Sequence, residues 1–175
     1  MPGNKKQHTM KKIFSIVTAV LLSISISVAA SNDEGHSKAT LSAQYFTPFS
    51  KVVIEDDIDL VLYENSSRKI DLDGPVADMN KVEWIIKKGV LYIRSKAGSL
   101  NHKVLVTLDV ANLKSIEING SSVVKSLGEL HSPSLQVHVN GECFVAIKNS
   151  GEIKVTASEF ADFEIRKRVG NIYTN

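Results

Sequence analysis

The chain has 175 residues, 43% of them apolar, with 21 Lys and Arg against 19 Asp and Glu, a size that suits one domain with a short appendage. The formal charge of +2 overstates its basic character: four lysines and no acid stand in the first 30 residues, leaving 17 basic and 19 acidic residues from Ser31 onward. A domain so balanced lacks the electrostatic footprint of a nucleic-acid binder, and the single cysteine, Cys143, excludes an intramolecular disulfide.

Residues 1–30 have the order of a secretory signal peptide. Lys5, Lys6, Lys11 and Lys12 form a basic start, Ile13 to Ala30 is apolar apart from Ser and Thr, and Ser27-Val28-Ala29-Ala30 supplies a small-residue cleavage site. Cleavage is expected after Ala30, with Ala29 the second choice, and Met10 is an alternative start. The other reading of the run is an uncleaved anchor, although about 18 residues is the short end of a spanning helix. No cysteine stands at the cleavage site for a lipid. An exported, periplasmic or extracellular protein follows, with no membrane span after cleavage. Without disulfides it must rest on its core, and at this size a chain buries about 68% of its unfolded surface.

Residues 31–45 are polar and unpatterned, which reads as a flexible lead-in to a single domain over 46–175. Beyond it the signal is alternation of period two, the mark of half-buried strands. Val52 and Ile54 open the pattern, then Ile58, Leu60 and Leu62, with Asp56-Asp57 as the turn between them. Further strands are predicted at Arg68–Leu72, Val82–Lys87, Val90–Arg94 and Lys103–Leu108, punctuated by Gly74-Pro75 and Lys88-Gly89. Val76–Lys81 is the one plausible helical turn. The domain is therefore all-β.

A near-repeat follows: IEINGSSVV at 116–124 and VHVNGECFV at 137–145. Ile116 and Ile118 align with Val137 and Val139, then with Ile153 and Val155, in steps of 21 and 16 residues. Asn119, Asn140 and Thr156 form a corner set, as do Gly120, Gly141 and Ala157. A period near 20 residues is that of a β-solenoid, a right-handed parallel β-helix in which each turn covers the next. Glycine there serves a left-handed corner or a close backbone approach. An antiparallel meander is the alternative, since Asn-Gly is also the strongest hairpin signal. The two differ in one pairing: a hairpin sets Ile116–Ile118 against Val123–Val124, a coil sets it against Val137–Val139. Stacked coils would also align Glu117, His138 and Lys154 as an outward ladder, a candidate ligand-facing surface.

The order of features, with "IDLVLYEN", "GVLYIRSK" and then "VLVTLDVANLKSIEINGSSVV", resembles the head GIN domain family, described as an auto-transporter adhesin. Leu108, Leu113, Ile116, Ile118, Gly120 and Ser121 occupy that pattern, Gly141 repeats its corner, and the resemblance covers about 46–172. It implies an exported bacterial β-helix-like domain and carries no catalytic residue. Ala157-Ser158 stands where a third Gly-Ser would be expected, and these 175 residues contain no transporter barrel.

Catalytic and metal chemistry is sparse in the sequence. His36, His102, His131 and His138 lack metal-ligand spacing, and the acidic group Glu55, Asp56, Asp57 and Asp59 lacks the EF-hand order. Ser66/Lys69 and Ser122/Lys125 match Ser-x-x-Lys without its accompanying motifs. Asp162 and Glu164 would share one face of a strand, the weak signature of a carboxylate pair. Tyr45, Phe46 and Phe49, with Tyr63 and Tyr92, either cover an end of the fold or stack on sugar rings. The leading expectation is a non-enzymatic envelope binding or structural module without cofactor or metal, its ligand a glycan or a protein. A carbohydrate-active enzyme using Asp162/Glu164 or Asp56–Asp59 is the alternative, and a self-assembling homo-oligomer a third.

Overall fold

The computed structural model describes residues 38–44, 47–96, 99–158, 161–165 and 172–174. The apolar leader, His36, Tyr45, Phe46 and the basic run at 166–168 lie outside these residues. Strands form where alternation was strongest: β1 (Lys38–Gln44), β2 (Lys51–Glu55), β3 (Ile58–Tyr63) and β4 (Lys69–Pro75). A single helical turn, α1 (Val76–Met79), then leads to β5 (Val82–Lys87), β6 (Val90–Ser95) and β7 (Val104–Asp109). The repeat region gives β8 (Ser115–Asn119), β9 (Ser122–Leu130), β10 (Ser134–Val139), β11 (Cys143–Asn149) and β12 (Glu152–Ala157). The short β13 (Phe163–Ile165) and β14 (Ile172–Thr174) follow.

Among the described residues the protein is all-β, arranged as two seven-stranded sheets. Their strand orders are β1-β4-β7-β3-β9-β11-β13 and β14-β12-β10-β8-β2-β6-β5. The alternate inward residues of both sheets meet in one core. It includes Leu60, Leu62, Leu108 and Val124 from the first sheet and Ile54, Ile93, Ile116 and Ile118 from the second, all fully buried. Burying each such side chain contributes about 1.5–3 kcal/mol.

The expected parallel β-helix is not what closes the fold. From β7 to β13, and from β6 to β14, neighbours run parallel. At the other end β1–β4, β4–β7 and β5–β6 are antiparallel, so both sheets are mixed and open. The cause at β5–β6 is local. Lys88 and Gly89 have φ of +52° and +75°, the paired left-handed residues of a two-residue hairpin turn, which reverses the chain within its own sheet.

The polar segment read as a lead-in enters the fold over Lys38–Gln44, which is β1. It adds to β4 with Leu41 opposite Leu72 and Ala43 opposite Ile70, and Ala43 is buried.

Within the repeat, the pairing follows the coil alternative: Ile116 lies beside Val137 and Ile118 beside Val139, in parallel. The chain then leaves for the other sheet, and β9 pairs with β3 and β11. The second step differs from the expected 16. Leu135 faces Ile153 and Val137 faces Val155, a step of 18. Most of the shortening is accommodated by an irregularity in β9, where the offset to β11 falls from 21 to 19. Ala146 pairs with Lys125 but Lys148 with Glu129, so extra residues of β9 are extruded around Ser126–Gly128. Gly128, at φ +92°, supplies the left-handed residue such a bulge needs. Ser126 Oγ fills the gap, accepting from Lys148 N and donating to Gly128 O, both at 2.9 Å.

Candidate functional site

Three connections cross between the sheets along one side of the molecule: Asp56-Asp57, Gly120-Ser121 and Asn140 to Glu142. They are stacked so closely that no side chain fits between them. A Cβ on Gly120 would lie 2.0 Å from the Asp56 carbonyl oxygen, and one on Gly141 2.5 Å from the Gly120 carbonyl oxygen. Neither glycine is left-handed, so close backbone approach is the reason for both. Asn140 Nδ2 donates to Asn119 Oδ1 at 2.7 Å, and Asn140 N donates to Ile118 O at 2.8 Å. Thr156 and Ala157 do not join these corners: they are the last residues of β12, opposite His138 and Val139. Ser158 continues the stack instead, its N–H donating to Val139 O.

Beside the stack, on the first-sheet side, an open groove of about 340 Å3 is lined by Lys103, Ser121, Glu142, Phe144 and Asp162, with Cys143 at its floor. The corner stacking delivers these residues. Ser122 N donates to Glu142 O and Cys143 N to Asp162 O, which hold successive connections side by side. Lys103 Nζ is drawn against the groove by Asp59 Oδ1 and Ser121 O, each at 3.2 Å. Asp59 Oδ1 also accepts from Val123 N at 2.9 Å. Glu142 and Asp162 are exposed, and the Lys125 ammonium stands 6.0 Å from the centre of the half-buried Phe144 ring. Burial pushes the Cys143 thiol up to about 11, which removes it as a thiolate nucleophile at neutral pH. The groove therefore offers carboxylate acceptors, a positioned cation, hydroxyls and an aromatic ring.

The outward ladder is placed differently from its prediction. Glu117 lies beside His138, but the next residue across is Thr156, and Lys154 sits opposite Gln136. This row is largely self-satisfied. Lys51 Nζ donates to Glu117 Oε2 at 2.6 Å, Asn119 Nδ2 to Glu117 Oε1 at 3.2 Å, and His138 Nδ1 meets Thr156 Oγ1. The Lys51 hydrogen bond holds the Glu117 carboxyl below its ordinary range, against the opposing effect of burial and with help from Asn119 and the charges of Lys51 and His138. Lys154 pairs with Glu152 at 3.2 Å.

Asp162 is exposed and immediately precedes β13, which contains Glu164. Asp56 Oδ2 accepts from Ser95 N at 2.8 Å. His131 and His138 do not meet: His131 Nδ1 pairs with Glu64 Oε2 at 2.8 Å, and among the described residues no three metal-ligating side chains cluster. Phe49 belongs to the core, and Tyr63 and Tyr92 are half-buried.

Two buried carboxylates were not singled out in the sequence. Asp109 accepts from Asn65 N, Ser67 N, Ser67 Oγ and Arg68 N, tying the β3–β4 loop to β7. Burial alone would raise its pKa, but the Ser67 hydroxyl and the three amides outweigh that and hold it below the ordinary value. Asp78 accepts from Lys81 Nζ, Asn101 N and His102 N, and the Lys81 bond chiefly keeps its carboxyl far below the usual range. Asp109 is the last residue of β7, where only the return of the β3–β4 loop reveals its partners, whereas Asp78 has Lys81 three residues along and gains Asn101 and His102 from a returning loop.

A family profile described as "Putative auto-transporter adhesin, head GIN domain" matches residues 48–175. The chain belongs to this family. Solved structures are similar to the head GIN chain at low identity. A "putative adhesin" from Parabacteroides distasonis is 15% identical with a TM-score of 0.43, over 74% of this chain and 70% of that one. A second "putative adhesin", from Parabacteroides merdae, is 13% identical with a TM-score of 0.42, over 81% and 97%. A "putative lipid binding protein" from Parabacteroides distasonis is 11% identical with a TM-score of 0.45, over 75% and 61%. No curated protein matches. Among the described residues, no helix is long and apolar enough to cross a membrane.

Proposed function

We propose that this head GIN chain is an exported, adhesin-like module of the cell envelope that holds a ligand without transforming it, using the groove beside the stacked corners. The observation that carries this reading is the groove's make-up. Ser121 and Glu142 sit on connections locked in place by the Gly120 and Gly141 approaches, Phe144 is the second residue of β11, and Asp162 is held by Cys143 N donating to its carbonyl. Rigid placement of a few polar groups around an aromatic ring lowers the ordering cost of binding. A glycan suits these groups: its hydroxyls donate to Glu142 and Asp162, and a sugar face lies on Phe144. The family description supports the adhesive role, and the basic-apolar-small order of residues 1–30 supports export by a cleaved signal. In this reading the parallel strands are successive turns of a short coil whose corners form the binding edge.

The test is a glycan-array screen of the purified chain, with captured glycans weighed for cleavage. Intact glycan is expected, and Glu142→Gln or Phe144→Ala should weaken capture about tenfold, the equivalent of about 1.4 kcal/mol. Cleaved products would replace the binding module with a carbohydrate-active enzyme. Capture unchanged by either substitution would move the site away from the groove.

A further inference from the structure

At the opposite end of the second sheet, β5 is the terminal strand, and among the described residues it pairs only with β6. Its sequence is Val-Glu-Trp-Ile-Ile-Lys. Natural edges are usually blunted by central charges, proline or bulges, and the four central residues here hold none of these beyond Glu83. Ile85 is 43% exposed, and Trp84 and Ile86 pack only partly against the core. Val76, at the start of α1 just before this strand, is another exposed large apolar residue.

The hydrogen-bonding phase of this edge follows from the hairpin. The two-residue turn Lys88-Gly89 makes Lys87 and Val90 a hydrogen-bonded pair, and Lys96 N donating to Lys81 O fixes the same phase at the far end. Antiparallel ladders alternate, so Glu83, Ile85 and Lys87 direct their backbone groups at β6. Val82, Trp84 and Ile86 direct theirs outward, away from the sheet.

We infer that β5 pairs antiparallel with β5 of a second copy of this chain, about a two-fold axis at Ile85, joining two second sheets into one. That register sets the outward backbone groups of Trp84 against those of Ile86 in the second copy, as a ladder requires. It places Ile85 against Ile85 at a close, non-hydrogen-bonded position, and Glu83 against Lys87 on both sides of the axis. Neighbouring registers lose this match: one sets Ile85 against Glu83 and Lys81 against Lys87, the other leaves Glu83 facing Gly89. Odd shifts bring outward groups against groups already committed to β6. Trp84 and Ile86, on the core-facing side, then form an aromatic–aliphatic pair that extends the core across the junction. A closed two-fold pairing also hides both edges and stops there, as symmetric dimers do.

The pairing predicts a charge code readable by mass. In light scattering, the full chain is expected at twice its monomer mass, dissociating on dilution. Glu83→Lys sets Lys against Lys and Lys87→Glu sets Glu against Glu, so each variant alone is expected as a monomer. Mixed in equal amounts, the two variants match at both positions and should return to the doubled mass. Ile85→Cys leaves the charges intact and should give a covalent pair on mild oxidation. Glu83→Cys should not, because its two copies stand four residues out of register, about 13 Å apart. A wild-type monomer at all concentrations overturns the inference, as does a doubled mass that both charge variants keep. A monomeric chain that still captures a glycan would remove this pairing and leave the groove reading intact.

Discussion

At Gly120 a single methyl group is too much. Its Cβ would sit 2.0 Å from the Asp56 carbonyl oxygen, with the Asp56 carbonyl carbon and amide nitrogen also under 3 Å. These are backbone atoms in a stacked connection, so no side chain can swing aside. The repeated Asn-Gly in the sequence pointed to a corner, but could not say whether left-handed φ or close approach demanded the glycine. The structure answers with close approach, and the consequences differ. Gly89, at φ +75° with open space around it, should tolerate alanine at a strain cost of about 1–2 kcal/mol. Gly120→Ala must separate two connections and should cost at least the about 1–3 kcal/mol typical of overpacking. Ser121→Ala, one residue along, should change stability by no more than about 0.5 kcal/mol. Urea unfolding of the three variants measures this order. A Gly120→Ala chain as stable as wild type would contradict the stacked corners.

Elements were legible where their pattern was self-contained. The alternation in Val82–Lys87 and Val90–Ser95, with Lys88-Gly89 between, states a hairpin almost in full. The first repeat step could be read because Ile116–Asn119 and Val137–Asn140 carry the same apolar alternation ending in Asn. The second step could not, because its register depends on how much of β9 is extruded around Gly128, a matter of geometry in the other sheet. That slip moved Thr156 and Ala157 out of the corners. β1 was illegible for another reason: an edge strand buries little, and Lys38–Gln44 offers only Leu41 as a large apolar residue. The groove's Ser121 and Glu142 flank the glycines and were half visible, whereas Lys103 arrives from the residue just before β7 of the first sheet. Asp109 shows the same dependence on tertiary return, and has a measurable signature. Its folded pKa is lowered, so its contribution is present above the unfolded value of about 3.9 and is lost as pH falls through the folded pKa. Asp109→Asn should cost about 1.5–3 kcal/mol at pH 7, the range for a hydrogen bond to a charged group. That difference should shrink below about pH 4, as the wild-type carboxyl protonates. Unfolding midpoints at pH 7, 5 and 3 test it, and a gap constant with pH would assign the loss to packing instead.

On the scale of the whole molecule, the two sheets share one core, so neither should melt alone. Leu60 of β3 and Ile118 of β8 belong to different sheets and the same apolar cluster, and domain stabilities are only about 5–15 kcal/mol. Truncating Leu60 to Ala removes about 2–5 kcal/mol by transfer and cavity terms, enough to displace the entire transition. The chain holds one tryptophan, Trp84, on the terminal strand of the opposite sheet. Its fluorescence therefore reports from a position distant in strand order from Leu60. If the core is one cooperative unit, Leu60→Ala shifts the Trp84 transition and the far-ultraviolet circular dichroism transition together, with coincident midpoints. If Trp84 keeps its wild-type midpoint while the strand signal moves, the antiparallel β5–β6 end is a separate unit. The pairing of β5 between chains adds a condition to the measurement. Association tied to folding makes the midpoint rise with protein concentration, so the comparison belongs at one fixed concentration. The concentration dependence itself should then vanish in Lys87→Glu.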